Sequence, residues 1–566
     1  MLLGRTTLLA ALTGTVVAGV PQERRQLLAA PTAIIKNGTV IGSTDTLNGV
    51  DSWLGIEYAL QPTSTRRLTN PTANTAFGTF TATNSPTACP GYERSMPTPS
   101  GLSLEVQTLL NELPLSQATG PSGENCLNLN VQRTHGVNAS SKVPVLVFIY
   151  GGGFSSGSTS GPTVDGTSFI VKANSLGLPL VYVAMSYRLA ALGFLPGKEM
   201  QGISNLGLKD QRLALKWVQE NIAAFGGDPS RVTIWGESAG SISVFDQLII
   251  DGGDNSYNGG SLFQGAIMNS GSAVPALDIS APYNENIYNQ VVANCNCSGA
   301  SDTLACLRSV SSETIINAQE ALPSVFDRSA LHLAFFPRPD ATDNFYPVSP
   351  DTALTAGRYA KVPIIIGDQE DEGTLFSQVQ NNITTNDELI EYMATYFPET
   401  NRTDVETLVN SYPNDNGSAG SPFRTGILYN LYPQYKRLAA ILGDIVFTLS
   451  RRVYLARLPS DVKAWSYLNT YLYGTSPLGT FHASDLLENR VVPISLASQN
   501  ATQIYYISFA YYQDPNAITP AVHWPQWDNT NRNILNFTLL DVELGKDNFR
   551  ESQYQTLSSL LSRLRA

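Results

Sequence analysis

Histidine, charged residues and long apolar runs are all scarce in this sequence. Only 14% of the 566 residues are charged, and the net charge of −12 argues against binding to nucleic acid or to anionic membrane surfaces, because both attract basic proteins. No repeat, charge run or Ser/Gly/Pro-rich linker divides the chain. We therefore expect a single folded domain over residues 19–566, long enough to bury a large core.

The scarcity of histidine also restricts the chemistry. The chain has four histidines, so an imidazole base must be His135, His332, His482 or His523. No histidine lies near a cysteine in a zinc-ligand spacing. The glycine run at 151–153 fits neither G-x-G-x-x-G nor a loop ending in G-K-[ST]. We predict neither a metal nor a cofactor.

The only candidate targeting segment lies at the N-terminus. Arg5 precedes an apolar stretch over 7–20, and Val16-Val17-Ala18 offers small residues for cleavage, which predicts a signal peptide over residues 1–18 and a secreted protein. The stretch is too short to span a bilayer, and we expect no transmembrane anchor. Eight N-x-[ST] sequons predict a glycoprotein, although the pattern does not say which sites are used.

Five cysteines suit an oxidising route, and they are Cys89, Cys126, Cys295, Cys297 and Cys306. Disulfides are the expected state, and the odd number leaves one cysteine over. Cys295 and Cys297 are too close in sequence to bridge each other easily. One of these two is therefore expected to pair with Cys306.

Continuous apolar runs predict buried strands, and helical patterns lie between them. The runs cover residues 143–150, 179–187, 232–235, 266–271 and 361–366. Uninterrupted apolar strands that alternate with helices indicate an α/β fold with a large, mostly parallel central sheet covered on both faces. Functional sites in such sheets form at the carboxyl ends of the strands.

One amphipathic helix is predicted outside this alternating pattern. Leu102, Val106, Leu109, Leu110 and Leu113 recur at helical spacing between Cys89 and Cys126. The segment is either a surface helix docked on the protein body or a hinged lid whose apolar face covers a lipid site. The pattern alone leaves both interpretations open.

The sequence Gly236-Glu237-Ser238-Ala239-Gly240 directly follows an apolar strand and precedes a helical pattern. In this context the pattern G-x-S-x-G predicts a tight turn that exposes a serine hydroxyl at its apex. A serine hydroxyl is a weak nucleophile at neutral pH and needs a base and a third group that orients the base. Ser238 is the predicted nucleophile.

The glycines at 151–153 also follow a predicted strand. Glycine lets backbone N–H groups point into a site without side-chain obstruction, where they can bind the negative oxygen that forms when serine attacks an ester carbonyl. We predict an oxyanion hole made by the N–H groups of Gly152, Gly153 and Ala239. A plain glycine turn is the alternative.

The acid and the base should follow the nucleophile in the chain. Four acids, Asp368, Glu370, Asp371 and Glu372, follow the strand that ends near residue 366, and the residues alone do not choose among them. His482 is the favoured base, because it follows this loop and a strand-like segment. His332 precedes the loop, His135 lies in a polar stretch, and His523 lies in a segment that looks structural.

These motifs resemble the type-B carboxylesterase/lipase family, over a range from about residue 31 to the C-terminus. Within that family the chain is most similar to secreted fungal lipases and sterol esterases of the Candida rugosa lipase type. The matching segments occur in the family's order and are Glu124–Asn130, Tyr150–Phe154, Asn205–Arg212, Phe225–Pro229, Gly236–Gly240, Asp371–Thr374 and Gly479–His482.

The resemblance implies an α/β-hydrolase fold and selects Glu372 as the acid beside Ser238 and His482. It also implies a Cys89–Cys126 disulfide around the lid and a Cys297–Cys306 disulfide, which leaves Cys295 free. Two positions depart from the usual pattern. Asn125 stands where relatives have aspartate, and Tyr150 stands where many have histidine.

The resulting function hypothesis is a serine esterase for long-chain carboxylic esters, either triacylglycerols or sterol esters, at an oil–water interface. The alternatives are a general short-chain carboxylesterase and a non-catalytic cholinesterase-like binding protein. Choline esters are disfavoured, because residues 90–125 contain no tryptophan for a cation–π contact. An exposed apolar lid face would also permit a homodimer.

Overall fold

The structure is a computed structural model that describes residues 30–76, 78–92, 120–475, 477–491, 494–518 and 522–566. The predicted signal peptide and the predicted helix over 102–113 lie outside these residues. In the described part of the chain, no helix is long and apolar enough to cross a membrane.

An eleven-stranded mixed sheet forms the centre of the described structure, with strand order β16-β15-β14-β13-β12-β9-β7-β8-β6-β4-β3. A small sheet pairs β1, β2 and β5, and a hairpin pairs β10 with β11. The strands are β1 Thr32–Ile35, β2 Gly38–Ile41, β3 Ser43–Asp45, β4 Val50–Glu57, β5 Gly78–Thr81, β6 Asn128–Thr134, β7 Val143–Ile149, β8 Val181–Met185, β9 Gly227–Glu237, β10 Ser256–Tyr257, β11 Gly260–Ser261, β12 Gly265–Asn269, β13 Ile364–Gln369, β14 Ala464–Asn469, β15 Asn533–Phe537 and β16 Val542–Lys546.

The helices lie between and beside these strands. Within the described ranges they are α1 Thr167–Ser175, α2 Ala190–Phe194, α3 Leu206–Asn221, α4 Ala239–Ile249, α5 Pro282–Asn294, α6 Thr303–Ser309, α7 Ser312–Glu320, α8 Pro350–Thr355, α9 Asn386–Tyr396, α10 Arg402–Asn410, α11 Tyr435–Gly443, α12 Leu449–Arg457, α13 Ser484–Leu486, α14 Leu496–Tyr512 and α15 Glu551–Leu560. Two π-helical turns, Asp444–Thr448 and Leu487–Val491, continue α11 and α13.

The central strands of the large sheet confirm the predicted parallel arrangement. From β15 through β14, β13, β12, β9 and β7 to β8, each neighbouring pair is parallel. Every residue of β7 and β8 is buried, which explains their unbroken apolar sequences. Trp235 of β9 packs edge-on against Phe169 of α1 and Tyr506 of α14, so large aromatic rings fill the layer between sheet and helices.

The edges of the sheet differ from its centre. β6 pairs antiparallel with β8 and β4, β4 pairs antiparallel with β3, and β16 closes the other edge against β15. The outermost strands, β3 and β16, are partly exposed to water, so their sequences carry no continuous apolar run. The sheet is therefore mixed, with its parallel part at the centre.

Both disulfides agree with the pairing that the resemblance implies. Cys89 is bonded to Cys126, and Cys297 is bonded to Cys306. Cys295 is buried and unbonded, so the first of the two closely spaced cysteines is the one left over.

Candidate active site

The candidate site lies at the carboxyl edge of the parallel strands. Ser238 directly follows β9, Glu372 lies three residues beyond β13, and His482 lies in the connection after β14. β14, β13, β12 and β9 are neighbours in that order. Phe481 forms a parallel bridge with Asp371, which aligns the two following residues, His482 and Glu372, beside each other.

The turn at Ser238 depends on the two flanking glycines. A Cβ atom on Gly236 would lie 2.2 Å from the carbonyl oxygen of Gly240, and one on Gly240 would lie 2.0 Å from the carbonyl oxygen of Ile149. Ser238 itself has φ 58° and ψ −127°, a strained conformation for a non-glycine residue. Its N–H donates to the carbonyl oxygen of Asn269 on the adjacent strand, and this bond fixes the turn.

Ser238, His482 and Glu372 form one hydrogen-bonded chain. Nε2 of His482 lies 2.8 Å from the hydroxyl oxygen of Ser238, and Nδ1 lies 2.5 Å from Oε2 of Glu372. Oε1 of Glu372 accepts a hydrogen bond from the N–H of Gln369 at 2.7 Å, so both of its oxygens are held. This is the geometry in which a carboxylate orients an imidazole toward a serine hydroxyl.

The imidazole of His482 is buried and packs against two aromatic rings that also contact each other. The centroid of its ring lies 4.6 Å from that of Phe447 and 5.0 Å from that of Phe376. Phe447 belongs to the first π-helical turn, a distortion that often occurs at functional sites. The rings and the Glu372 bond together restrict rotation of the imidazole.

The other histidines do not reach Ser238. His135 is exposed and its Nδ1 lies 2.9 Å from Asp51. His332 is buried and stacked between Tyr283 and Tyr396, where burial lowers its pKa to about 4.

His523 lies in the segment predicted to be structural. Its neighbour Trp524 is fully buried, whereas the His523 side chain is exposed. The segment is therefore packed through its tryptophan and not through its histidine.

Packing distinguishes the four acids of the loop after β13. Asp368 pairs with Arg451 at 2.6 Å, and Glu370 pairs with Arg424 at 2.6 Å. Asp371 accepts hydrogen bonds from the Ser421 hydroxyl and from the N–H groups of Phe423 and Thr480. Only Glu372, among these four, contacts the imidazole.

The glycine loop after β7 lies beside Ser238. Gly152 and Gly153 have φ of 106° and 61°, conformations that other residues adopt rarely. The N–H and the hydroxyl of Ser156 both donate to the carbonyl oxygen of Gly152, which holds the loop in shape. No loop or turn hydrogen bond joins the N–H groups of Gly152, Gly153 or Ala239 to another described backbone group.

A large apolar cavity opens on Ser238. Its volume is about 860 Å³ when the space open to solvent at its mouth is included, and Gly153, Ser238 and Ala239 form one part of its wall. The remaining wall is almost wholly hydrocarbon and comes from segments far apart in the chain, among them Phe154, Ile242, Leu333, Phe336, Phe397, Val446, Leu557, Leu561 and Leu564.

A second cavity of about 790 Å³ adjoins the first at Gly153, Ser238 and Phe376. His482 and Glu237 line this cavity and not the first. The wall of the second cavity is more polar than that of the first and includes Ser156, Ser158 and Thr163.

The chain also matches a known family over nearly its whole length. Residues 29–557 match the family described as the carboxylesterase family. The chain belongs to the carboxylesterase family. The predicted resemblance is thereby confirmed, and the hydrolysis of carboxylic esters is the activity of its class.

Two fungal relatives are similar to this carboxylesterase over most of their length. The "Secreted lipase 1" of Botryotinia fuckeliana is 47% identical over 548 residues, which cover 94% of this chain and 93% of that protein. The "Secreted triacylglycerol lipase LIP1" of Gibberella zeae is 44% identical, with 93% and 90% covered. These relatives bear out the prediction of a secreted protein.

A solved structure confirms the fold of this carboxylesterase. Aspergillus niger EstA superposes with a TM-score of 0.77 at 25% identity, covering 94% of this chain and 99% of that one. The predicted α/β-hydrolase fold is correct.

Two further acids of this carboxylesterase were not predicted from the sequence: Glu237 lies beside the imidazole, and Asp485 lies near enough for its charge to interact with that of His482. Oε1 of Glu237 is 3.4 Å from Nε2 of His482, and Asp485 accepts a hydrogen bond from the Asn269 amide at 2.7 Å. Burial raises the pKa of Glu237 well above its usual range and that of Asp485 to about 6. In the sequence, only their positions indicated a place near the site. Glu237 directly precedes the serine, and Asp485 follows His482 by three residues.

Within the described residues, no group of three or more histidine, cysteine, aspartate or glutamate side chains is arranged to hold a metal ion.

Proposed function

We propose that this carboxylesterase is a secreted serine esterase that hydrolyses long-chain carboxylic esters, with triacylglycerols as the principal class and sterol esters as a further one. The observation that carries the proposal is the apolar cavity of about 860 Å³ that opens on Ser238. A cavity with an almost wholly apolar wall suits a long acyl chain and offers little to a small polar acid. The two relatives, each named a lipase, support the same substrate class.

In the proposed mechanism Ser238 attacks the ester carbonyl, and Nε2 of His482 takes the hydroxyl proton. Glu372 holds the imidazole in the tautomer that presents a free Nε2 and stabilises the imidazolium that forms. The N–H groups of Gly152, Gly153 and Ala239 donate to the carbonyl oxygen as it becomes negative. Removal of one such donor typically lowers the rate by about 10²–10³.

His482 then gives its proton to the leaving alcohol, and the acyl chain remains on Ser238. A water molecule, deprotonated by His482, attacks the acyl carbon and releases the fatty acid. The apolar cavity would hold the acyl chain during both steps. The second cavity would take the alcohol, because His482 must reach the leaving oxygen from that side.

Four parts of the sequence-based interpretation stay predictions. The lid within 89–126 falls mostly outside the described residues, and so does the signal peptide at 1–18. A single catalytic domain over 19–566 and a homodimer are also still to be tested.

The test compares wild type and Ser238→Ala on a long-chain triglyceride emulsion, a cholesteryl ester and a soluble short-chain ester. We expect wild type to cleave the emulsion and the variant to lose at least about 10³-fold in rate on every substrate. Preference for the soluble ester alone would indicate a general short-chain carboxylesterase. Absence of all three activities would indicate a binding protein and reject the proposal.

A further inference from the structure

The carboxyl group of Glu237 touches the catalytic imidazole but has no part in the mechanism above. It is 2% exposed, and its Oε1 lies 3.4 Å from Nε2 of His482. Among the described residues Oε1 has no hydrogen-bond partner. A buried carboxyl oxygen without a partner is costly, so its place beside a proton-transferring nitrogen calls for a function.

The position of Glu237 relative to the two cavities suggests that function. Ser238 lines both cavities, whereas Glu237 and His482 line only the second. When the acyl chain occupies the apolar cavity, any molecule that comes to attack the acyl carbon must approach from the second one. It then meets Nε2 of His482 and Oε1 of Glu237 together.

We infer that Glu237 positions the hydrolytic water, by accepting the hydrogen that the water does not give to His482. The inference rests on the proposed function, since it concerns the second half of that reaction. A water molecule has two O–H groups, and two acceptors fix its orientation. A well-oriented nucleophile reacts much faster than a freely rotating one.

The step balances without any other reactant. The water oxygen forms a bond to the acyl carbon while one of its hydrogens passes to Nε2 as a proton. The bond between the acyl carbon and the Ser238 oxygen then breaks, and that oxygen takes the proton from Nε2. Glu237 accepts a hydrogen bond from the other hydrogen throughout, and the carboxyl group is itself unchanged at the end of the step.

The inference predicts that loss of the Glu237 oxygen affects attack by water and attack by an alcohol differently. Methanol has a single O–H, which it must give to His482, so it has no hydrogen left for Glu237. Loss of the acceptor should therefore slow hydrolysis of the acyl-enzyme and leave methanolysis largely intact. A role in packing, or an effect on the basicity of His482, would slow both nucleophiles alike.

The experiment uses a p-nitrophenyl ester in buffer that contains methanol, and it compares wild type, Glu237→Met and Glu237→Gln. Methionine is similar in length and lacks an oxygen, whereas the glutamine amide keeps an accepting oxygen. The measured quantity is the ratio of methyl ester to free acid. This ratio reports on acyl-enzyme alone and does not depend on the fraction of folded protein.

For Glu237→Met we expect the ratio to rise about tenfold or more. For Glu237→Gln the ratio should stay within about threefold of wild type. An unchanged ratio in the methionine variant, or an equal rise in both variants, would overturn the inference. Glu237→Ala provides the same comparison if the methionine variant does not fold.

Failure of the proposed function would look different. In that case wild type would release no nitrophenol, or Ser238→Ala would release as much as wild type. Either result concerns formation of the acyl-enzyme, which comes before its reaction with water or methanol. The two failures can therefore be told apart.

Discussion

The carbonyl oxygen of Ile149 occupies the space that a side chain on Gly240 would need. A Cβ atom on Gly240 would lie 2.0 Å from this oxygen, which belongs to the last residue of β7. The strand cannot shift easily, because it is paired on both sides with β8 and β9. The tight turn at Ser238 therefore requires glycine at position 240.

Gly240→Ala should destabilise the protein strongly. The added methyl group overlaps backbone atoms, and we expect a loss of about 2 kcal/mol or more in the free energy of unfolding, together with a large loss of activity. Thermal unfolding measures the effect. Gly299→Ala is the control, because nothing lies within 4 Å of a Cβ atom there. Equal melting temperatures for the two variants would show that the turn is looser than described.

Glu372→Gln should retain the fold and lose most of the activity. The amide would still fill the site, but it cannot stabilise the imidazolium and favours the wrong tautomer, so kcat should fall by about 10³–10⁴. The measurement is kcat on a soluble ester. Glu370→Gln, two residues away and paired with Arg424, should stay within about threefold of wild type. A similar loss in both variants would argue against Glu372 as the acid.

Leu561→Trp should shorten the acyl chain that the protein accepts. Leu561 lines the apolar cavity, and the larger ring of tryptophan would fill part of the space. We expect kcat/KM to fall about tenfold or more for the longest acyl chains, with short esters little affected. A series of p-nitrophenyl esters of increasing length measures this.

Leu540→Trp is the matched control for the cavity experiment. Leu540 is 84% exposed and lies outside the cavity, so its replacement should leave the chain-length profile unchanged. If Leu561→Trp also leaves the profile unchanged, the acyl chain binds elsewhere.

Asp246 should make the folded state less stable as the pH rises. Burial raises the pKa of Asp246 to about 8 in the folded protein, where its Oδ1 accepts a hydrogen bond from the Tyr346 hydroxyl at 2.7 Å. The folded state therefore holds a proton that the unfolded chain releases above pH 4 or so. The contribution is complete below the unfolded pKa and is lost as the pH rises toward about 8.

Asp246→Asn cannot ionise and should remove this part of the pH dependence. Relative to wild type, the variant should gain stability between pH 5 and pH 8, measured as the urea concentration at half-unfolding. Asp461→Asn is the control, since the Asp461 side chain is 65% exposed. Parallel pH profiles for wild type and Asp246→Asn would contradict the expectation.

Local sequence determined the features that were predicted correctly. The Ser238 turn is recognisable because small residues must lie directly beside it, and β7 and β8 because burial on both faces demands an unbroken apolar run. The choice of Glu372 was different. The neighbouring acids Asp368, Glu370 and Asp371 are bound by Arg451, Arg424 and Ser421, and these partners are distant in sequence. From the sequence, only the family resemblance could select Glu372.

Features built from scattered residues were not predictable. The apolar cavity combines Ile242, Leu333, Val446 and Leu561, and no local pattern marks any of them as neighbours. The antiparallel edge strands were missed as members of the sheet, because short strands with one exposed face carry weak patterns. Glu237 was missed because its contact with His482 joins segments that are far apart in the sequence.

The spacing of the three residues at the site has a further consequence for folding. Ser238 and His482 are 244 residues apart in the chain, and His482 and Glu372 are 110 apart. Contacts between such distant segments are slow to form. The protein should therefore be catalytically silent through synthesis and early collapse, and in refolding its activity should return later than its helical circular-dichroism signal. A secreting cell would then contain an enzyme that cannot attack its lipids until β9, β12, β13 and β14 have come together.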